Sequence, residues 1–187
     1  DCTFKKSADS DRVALLVRGR KGWGRRFLLD RVCKRMTFTE TVDALLALHR
    51  AWSPAFVLVE DKANGPAVMN ALVDAIPGLI PFNPGQSSKS ERVQAGSAPL
   101  YAANQQVLPD RSIAPWIDEF ETAHTAFTGG NQTTPDDDID AESQSDLYWN
   151  VLSRQVPWLT LPDARLDDPA PAWAHRNGYG RHYVYSP

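Results

Sequence analysis

An α/β domain built on a mixed sheet is the fold class this sequence predicts, and three features predict it. Two apolar runs near the start, residues 12–18 (RVALLVR) and 26–32 (RFLLDRV), are separated by Gly19, Gly22 and Gly24, the pattern of an antiparallel hairpin. Residues 56–82 read as strand, helix, strand, a unit that pairs its strands in parallel through a right-handed crossover. Amphipathic stretches of helical period fill most of what remains.

The elements follow in order. Residues 1–4 read as a first strand, joined to residue 12 by a polar turn, which makes three consecutive antiparallel strands. Residues 39–52 are helical, with Val42, Leu45, Leu46 and His49 at helical spacing and Thr37 or Thr39 as cap. Residues 56–60 form a buried-type strand. A helix over 66–76 starts on Pro66 and turns Val68, Met69, Leu72, Val73 and Ile76 inward. Residues 79–82 are a short strand, 90–103 a helix, and 106–108 a strand. A helix over 115–126 faces Trp116, Ile117, Phe120 and His124 inward. After the loop TGGNQTT, residues 138–152 form a helix carrying Ile139, Leu147, Trp149, Val151 and Leu152. This order is that of a ribonuclease H-like fold, a mixed sheet of about five or more strands flanked by helices. Residues 1–155 make the domain. Residues 156–187, broken by prolines and rich in Trp and Tyr, read as an irregular tail suited to a partner surface.

Composition narrows the function. The 187 residues are 42% apolar and 23% charged, an ordinary globular balance. The net charge of −3 excludes a chain that is basic throughout, though not a local basic patch. Cys2 and Cys33 make neither a disulfide framework nor a zinc site, which suits a reducing compartment. No apolar run approaches the ~20 residues of a membrane span, and no signal peptide is visible. With no initiator Met and little leader, the chain reads as the C-terminal part of something longer.

The chemistry lies in the acids. The apolar run VLVEDKANGPAV stops at Glu60 and Asp61 and turns through Asn64-Gly65 into a helix, and PDDDIDAESQ heads another. Asp1 opens the first strand. Carboxylates from strand ends and a helix start can meet as a hard-oxygen site for Mg²⁺ or Mn²⁺. Each piece also has a plainer explanation. Acids at 136–140 favour a helix N-terminus by ~0.3–1 kcal/mol each, although three in a row exceed what a cap needs. Asp61 beside Lys62 suits a surface ion pair. Arg18, Arg20, Lys21, Arg25 and Arg26 around the hairpin, with Lys62, Lys89 and Arg92, suit either solvated faces or phosphate contacts. The histidines lack metal spacing, and His49 and His124 read as core-edge residues.

DCTFKKSADSDRVALLVRGRKG, VEDKANGPAV, SSKSERVQAGSAPLYAANQQVLP and DDDIDAESQ together resemble the nuclease domain of the large terminase subunit of tailed bacteriophages. The resemblance covers roughly residues 1–152, with the motifs in the family's order. It implies an endonuclease that cuts double-stranded concatemeric viral DNA during packaging in the host cell cytoplasm, with two Mg²⁺ or Mn²⁺ ions. The partners it implies are duplex DNA, the portal protein and other terminase subunits. The family's ATPase motor has no counterpart here, since no G-x-x-x-x-G-K-[ST] segment is present. Carried over by position, the catalytic acids are Asp1, Glu60 and Asp136. Asp61, Asp137 and Asp140 complete the metal set. Pro135 stands where family members often have His, and the extra Asp138 shifts the register by up to one residue. The alternatives are another ribonuclease H-like nuclease, of resolvase or integrase type, and a non-catalytic DNA- or portal-docking module.

Overall fold

The computed structural model describes residues 12–21, 24–129 and 135–155. The first-strand reading, Asp1 and the tail reading lie outside them. Strand β1 (Val13–Arg20) pairs antiparallel with β2 (Arg26–Lys34), from Val13 opposite Lys34 to Arg20 opposite Arg26, with an irregularity between Val17 and Arg18. Helix α1 (Phe38–Trp52) begins at Thr37, whose hydroxyl accepts the Glu40 N–H while the Glu40 carboxylate accepts the Thr37 N–H. This reciprocal capping settles the choice between Thr37 and Thr39.

Strand β3 (Val57–Glu60), helix α2 (Gly65–Leu72) and strand β4 (Leu79–Phe82) form the expected unit, with β3 and β4 parallel and Glu60 opposite Phe82. Helix α2 stops earlier than its periodicity suggests. Pro77 disfavours helical backbone at Ile76, and the chain leaves the helix in turns. Ile76 still reaches the core, but Val73 is 62% exposed rather than inward.

The helix expected over 90–103 is two, α3 (Lys89–Ala95) and α4 (Ser97–Ala102), meeting at Gly96. Strand β5 (Gln106–Val107) then pairs parallel with β2, and helices α5 (Ile117–Ala126) and α6 (Asp137–Gln155) follow. A Cβ on Gly96 would lie 3.0 Å from the Ser143 carbonyl, so the absence of a side chain lets the α3–α4 junction press on α6.

Among the described residues the five strands form two sheets, β1-β2-β5 and β3-β4, not the single larger sheet expected. Helices cover both faces of the first. Val13, with Leu15 and Val32 against it, packs with Met36, Leu45, Val68, Leu72 and Ile76 from α1, α2 and their flanks. Leu16 turns the other way, onto Ala114, Ile117 and Phe120, as strand alternation requires, and Leu28 joins it there because the irregularity in the β1–β2 register falls between Leu28 and Val32. Among the described residues, no helix is long and apolar enough to cross a membrane.

Candidate functional site

Helix α6 departs most from its apolar reading. Its buried side chains include Asp137, Asp138, Asp140, Glu142, Ser143, Gln144 and Asp146 beside Ile139 and Trp149, whereas Val151 is 45% exposed. Burying such carboxylates without partners would cost several kcal/mol each. They are therefore paired, on two separate faces set by the helical repeat.

One face carries Asp138, Glu142, Ser145, Asp146 and Trp149 toward the three-stranded sheet. The Arg31 guanidinium grips Asp138 through Nε (3.0 and 3.1 Å) and Nη2 (2.7 Å), with both side chains almost fully buried, and Arg31 Nη1 reaches Glu119 at 3.1 Å. Arg18 donates to the Glu142 carbonyl at 3.0 Å, to Gln106 at 2.8 Å and to Ser145. It also pairs with Asp146 at 3.0 Å and Glu142 at 3.5 Å. Arg26 approaches Asp146 at 3.6 Å. Both guanidiniums lie over the Trp149 ring, 5.4 and 5.0 Å from its centroid. Tyr101 Oη donates to Glu142 at 3.2 Å, and His124 Nε2 lies 3.0 Å from the same carboxylate.

Desolvation sets the titration of this cluster, with charge pairing opposing it. Burial works to raise Glu142, yet Arg18, His124 and Tyr101 together hold it below the usual carboxylate range. Asp146 ends above its ordinary value because burial outweighs Arg18. Burial pulls Arg26 down to about 10, against the opposing attraction of Asp146, so it stays charged at neutral pH.

These contacts correct part of the DNA-contact reading. Arg18 and Arg26 are buried in ion pairs at the centre of the domain, and Arg92 is buried against Asp140. None of the three presents its guanidinium to solvent. Arg20, Lys21 and Arg25 are partly exposed at the hairpin end. Exposed Lys62 donates to the Gly85 carbonyl at 3.1 Å. Asp138 pairs with Arg31, whereas Asp136 and Asp140 meet Lys89.

The second face of α6 carries Asp140, Gln144 and Tyr148. Tyr148 packs on Phe56 and Phe82, with ring centroids 5.3 and 6.3 Å away. Gln144 Nε2 donates to Glu60 Oε2 at 3.1 Å. Asp140 lies one helical turn above Gln144, so Glu60 and Asp140 occupy the same side of the helix. Lys89 Nζ lies 2.8 Å from Asp136 Oδ1 and 3.8 Å from Asp140 Oδ2, and Arg92 pairs with Asp140 Oδ1.

Glu60 is positioned by a tight turn. Ala63 adopts φ 49°, a left-handed conformation that costs a residue with a Cβ ~1–2 kcal/mol. A Cβ on Gly65 would fall 1.8 Å from the Glu60 carbonyl oxygen. Only glycine admits that approach of α2 to the end of β3. Asp61 is exposed, and its N–H continues the ladder to the Phe82 carbonyl at 2.8 Å.

The structure thus gathers Asp136 and Asp140 around one ammonium and sets Glu60 a turn away, and it buries Asp137. Among the described residues no three His, Cys, Asp or Glu side chains converge as a metal-holding group. The hard-oxygen donor set and the sharing of one cation by two carboxylates nonetheless suit a divalent ion. The sequence reading passed over Arg31, Tyr101, His124, Asp138, Glu142 and Asp146 as a linked set. One signal was available: acids at 138, 142 and 146 recur every four residues, a stripe along one helix face.

Comparison with protein families matches residues 1–145 to the terminase RNaseH-like domain. Comparison with curated proteins gives no match.

Proposed function

This chain belongs to the terminase RNaseH-like domain family, and from that premise we propose that it is a divalent-metal-dependent endonuclease cutting double-stranded viral DNA during genome packaging. The observation that carries the reading is the docking of Glu60, through Gln144, on the α6 face that bears Asp140, with Asp136 held beside it by Lys89. Asp1, Glu60 and Asp136 would hold the metal, with Asp61, Asp137 and Asp140 in support. Two Mg²⁺ or Mn²⁺ ions, when bound, supply an activated water nucleophile and charge neutralisation at the leaving oxygen.

The protein's own residues do the positioning. The Gly65 turn fixes the end of β3, and the Arg31–Asp138 and Arg18–Glu142–Asp146 contacts fix α6. Relative placement of the acids therefore depends on two anchored elements rather than on loops. Arg20, Lys21 and Arg25 at the hairpin, with Lys62 and Lys89, are the proposed phosphate contacts. The same reading makes the portal protein and other terminase subunits the partners, in the host cell cytoplasm.

A docking module is the second reading, favoured by the ion pairs that already engage Asp136 and Asp140. Nicking of supercoiled plasmid by the full chain separates the two. Mn²⁺-dependent nicking that disappears in both Glu60→Ala and Asp136→Ala, with melting temperatures preserved, supports the nuclease. A wild-type chain that neither nicks nor binds Mn²⁺ supports the docking module.

A further inference from the structure

Resting on the metal-site reading above, we infer that Lys89 is an internal counter-cation: it neutralises Asp136 and Asp140 until a divalent ion displaces it, then turns to a DNA phosphate. Two basic residues of α3 meet these acids, and they differ in how firmly they are held. Arg92 is buried, pairs with Asp140 Oδ1 and donates to the Ser87 carbonyl at 2.7 Å. It is locked from both sides. Lys89 sits in the first turn of the helix with its side chain 29% exposed, and touches Asp136 Oδ1 and, more distantly, Asp140 Oδ2. Its ammonium is a compact charge on a flexible four-carbon stem, able to swing without moving the backbone. The backbone beneath it is fixed by reciprocal hydrogen bonds between Ser88 and Glu91.

Lys89 and a divalent ion cannot share Asp136 comfortably. An ammonium a few ångströms from a doubly charged ion is repelled even in a watery setting. Metal binding therefore ejects Lys89, and a phosphate is the anion it would meet when DNA is present. One such contact adds about 0.9 to the log–log salt slope of DNA binding. Metal and DNA are thereby coupled through one side chain.

Calorimetric titration of Mn²⁺ into the full chain tests this, using wild type, Lys89→Gln and Lys89→Arg. Lys89→Gln should bind Mn²⁺ about tenfold tighter, the scale of removing one unit charge beside a divalent ion. Lys89→Arg should bind no tighter than wild type. In Ca²⁺, used as a probe ion, the wild-type salt slope should exceed its metal-free value by about 0.9, and Lys89→Gln should show no such increment. The Lys89–Asp136 pair is partly exposed and of little worth to stability, so unchanged melting confirms that the variants fold. Equal or weaker Mn²⁺ binding by Lys89→Gln, with wild type binding normally, overturns the inference and leaves the metal site standing. If no variant binds Mn²⁺, the metal site itself is wrong and the inference falls with it.

Discussion

Replacing Arg18 with Met removes the cation that joins β1 to two buried acids of α6. Arg18 is 3% exposed and faces Asp146 at 3.0 Å and Glu142 at 3.5 Å, both of them essentially without solvent contact. Met nearly matches the stem in shape but leaves Asp146 to Arg26 and Glu142 to His124 and Tyr101. Breaking a buried pair in this way costs ~3–5 kcal/mol, because the stranded charge keeps its desolvation penalty. With a urea slope of about 2 kcal/mol/M, the unfolding midpoint should fall by about 2 M. Arg18→Met combined with Glu142→Gln restores one cation to one anion and should recover more than about 1 kcal/mol of the loss, a coupling that a double-mutant cycle measures directly. A loss below about 1 kcal/mol would refute this account. So would intact stability with weakened DNA binding, which would return Arg18 to the DNA surface.

Asp138→Asn should cost about 3 kcal/mol of stability by breaking the buried Arg31 pair while leaving Mn²⁺ affinity unchanged; a weaker Mn²⁺ isotherm with unaltered melting would make Asp138 a metal ligand instead. Gly65→Ala should destabilise by ~1–3 kcal/mol through overpacking against the Glu60 carbonyl and reduce Mn²⁺-dependent nicking; wild-type behaviour in both assays would mean the turn is looser than described. Stability should also fall as pH drops below about 4.5, the ordinary Glu value, because Glu142 (Arg18, His124 and Tyr101 outweighing burial) and Glu119 (hydrogen-bonded to Arg31 and Arg12) sit below it when folded. The unfolded chain then binds more protons, so acid favours unfolding. Asp146, raised by burial, works in the opposite sense, and urea midpoints at about pH 7 and pH 3.5 that do not differ would show that it cancels the other two.

Most of the secondary structure was legible because it rests on apolar periodicity. The β3–α2–β4 unit and the hairpin follow from patterns that need no tertiary information, and the cap of α1 was narrowed to Thr37 or Thr39, of which the structure shows Thr37. The end of α2 was misread for a local reason, a proline five residues past Leu72, and the break at Gly96 for a tertiary one, a glycine needed for contact with α6. The charged interior was hidden for a deeper reason. Arg18 and Arg26 bracket a hairpin and look like surface residues, since nothing in a strand's own pattern shows that its partner helix carries Glu142 and Asp146. At the candidate site, Glu60 was readable as an acid ending an apolar run. That Gln144 would meet it, or that Lys89 would bridge Asp136 and Asp140, depends on packing between segments distant in sequence.

The long reach of the buried arginines also constrains how the molecule is made. Arg31 waits 107 residues for Asp138, and Arg18 waits 127 for Ser145. Synthesis runs from the amino end, so the first hairpin emerges with guanidiniums on a face that only a much later helix will cover. Those charges keep the nascent sheet wetted and make its premature collapse onto itself unfavourable. The docking of α6 then closes contacts of very wide sequence separation, the kind whose loop-closure entropy slows folding. Completion of the interior is therefore a late event in the life of each chain, and it coincides with the arrival of the acids at 136–140.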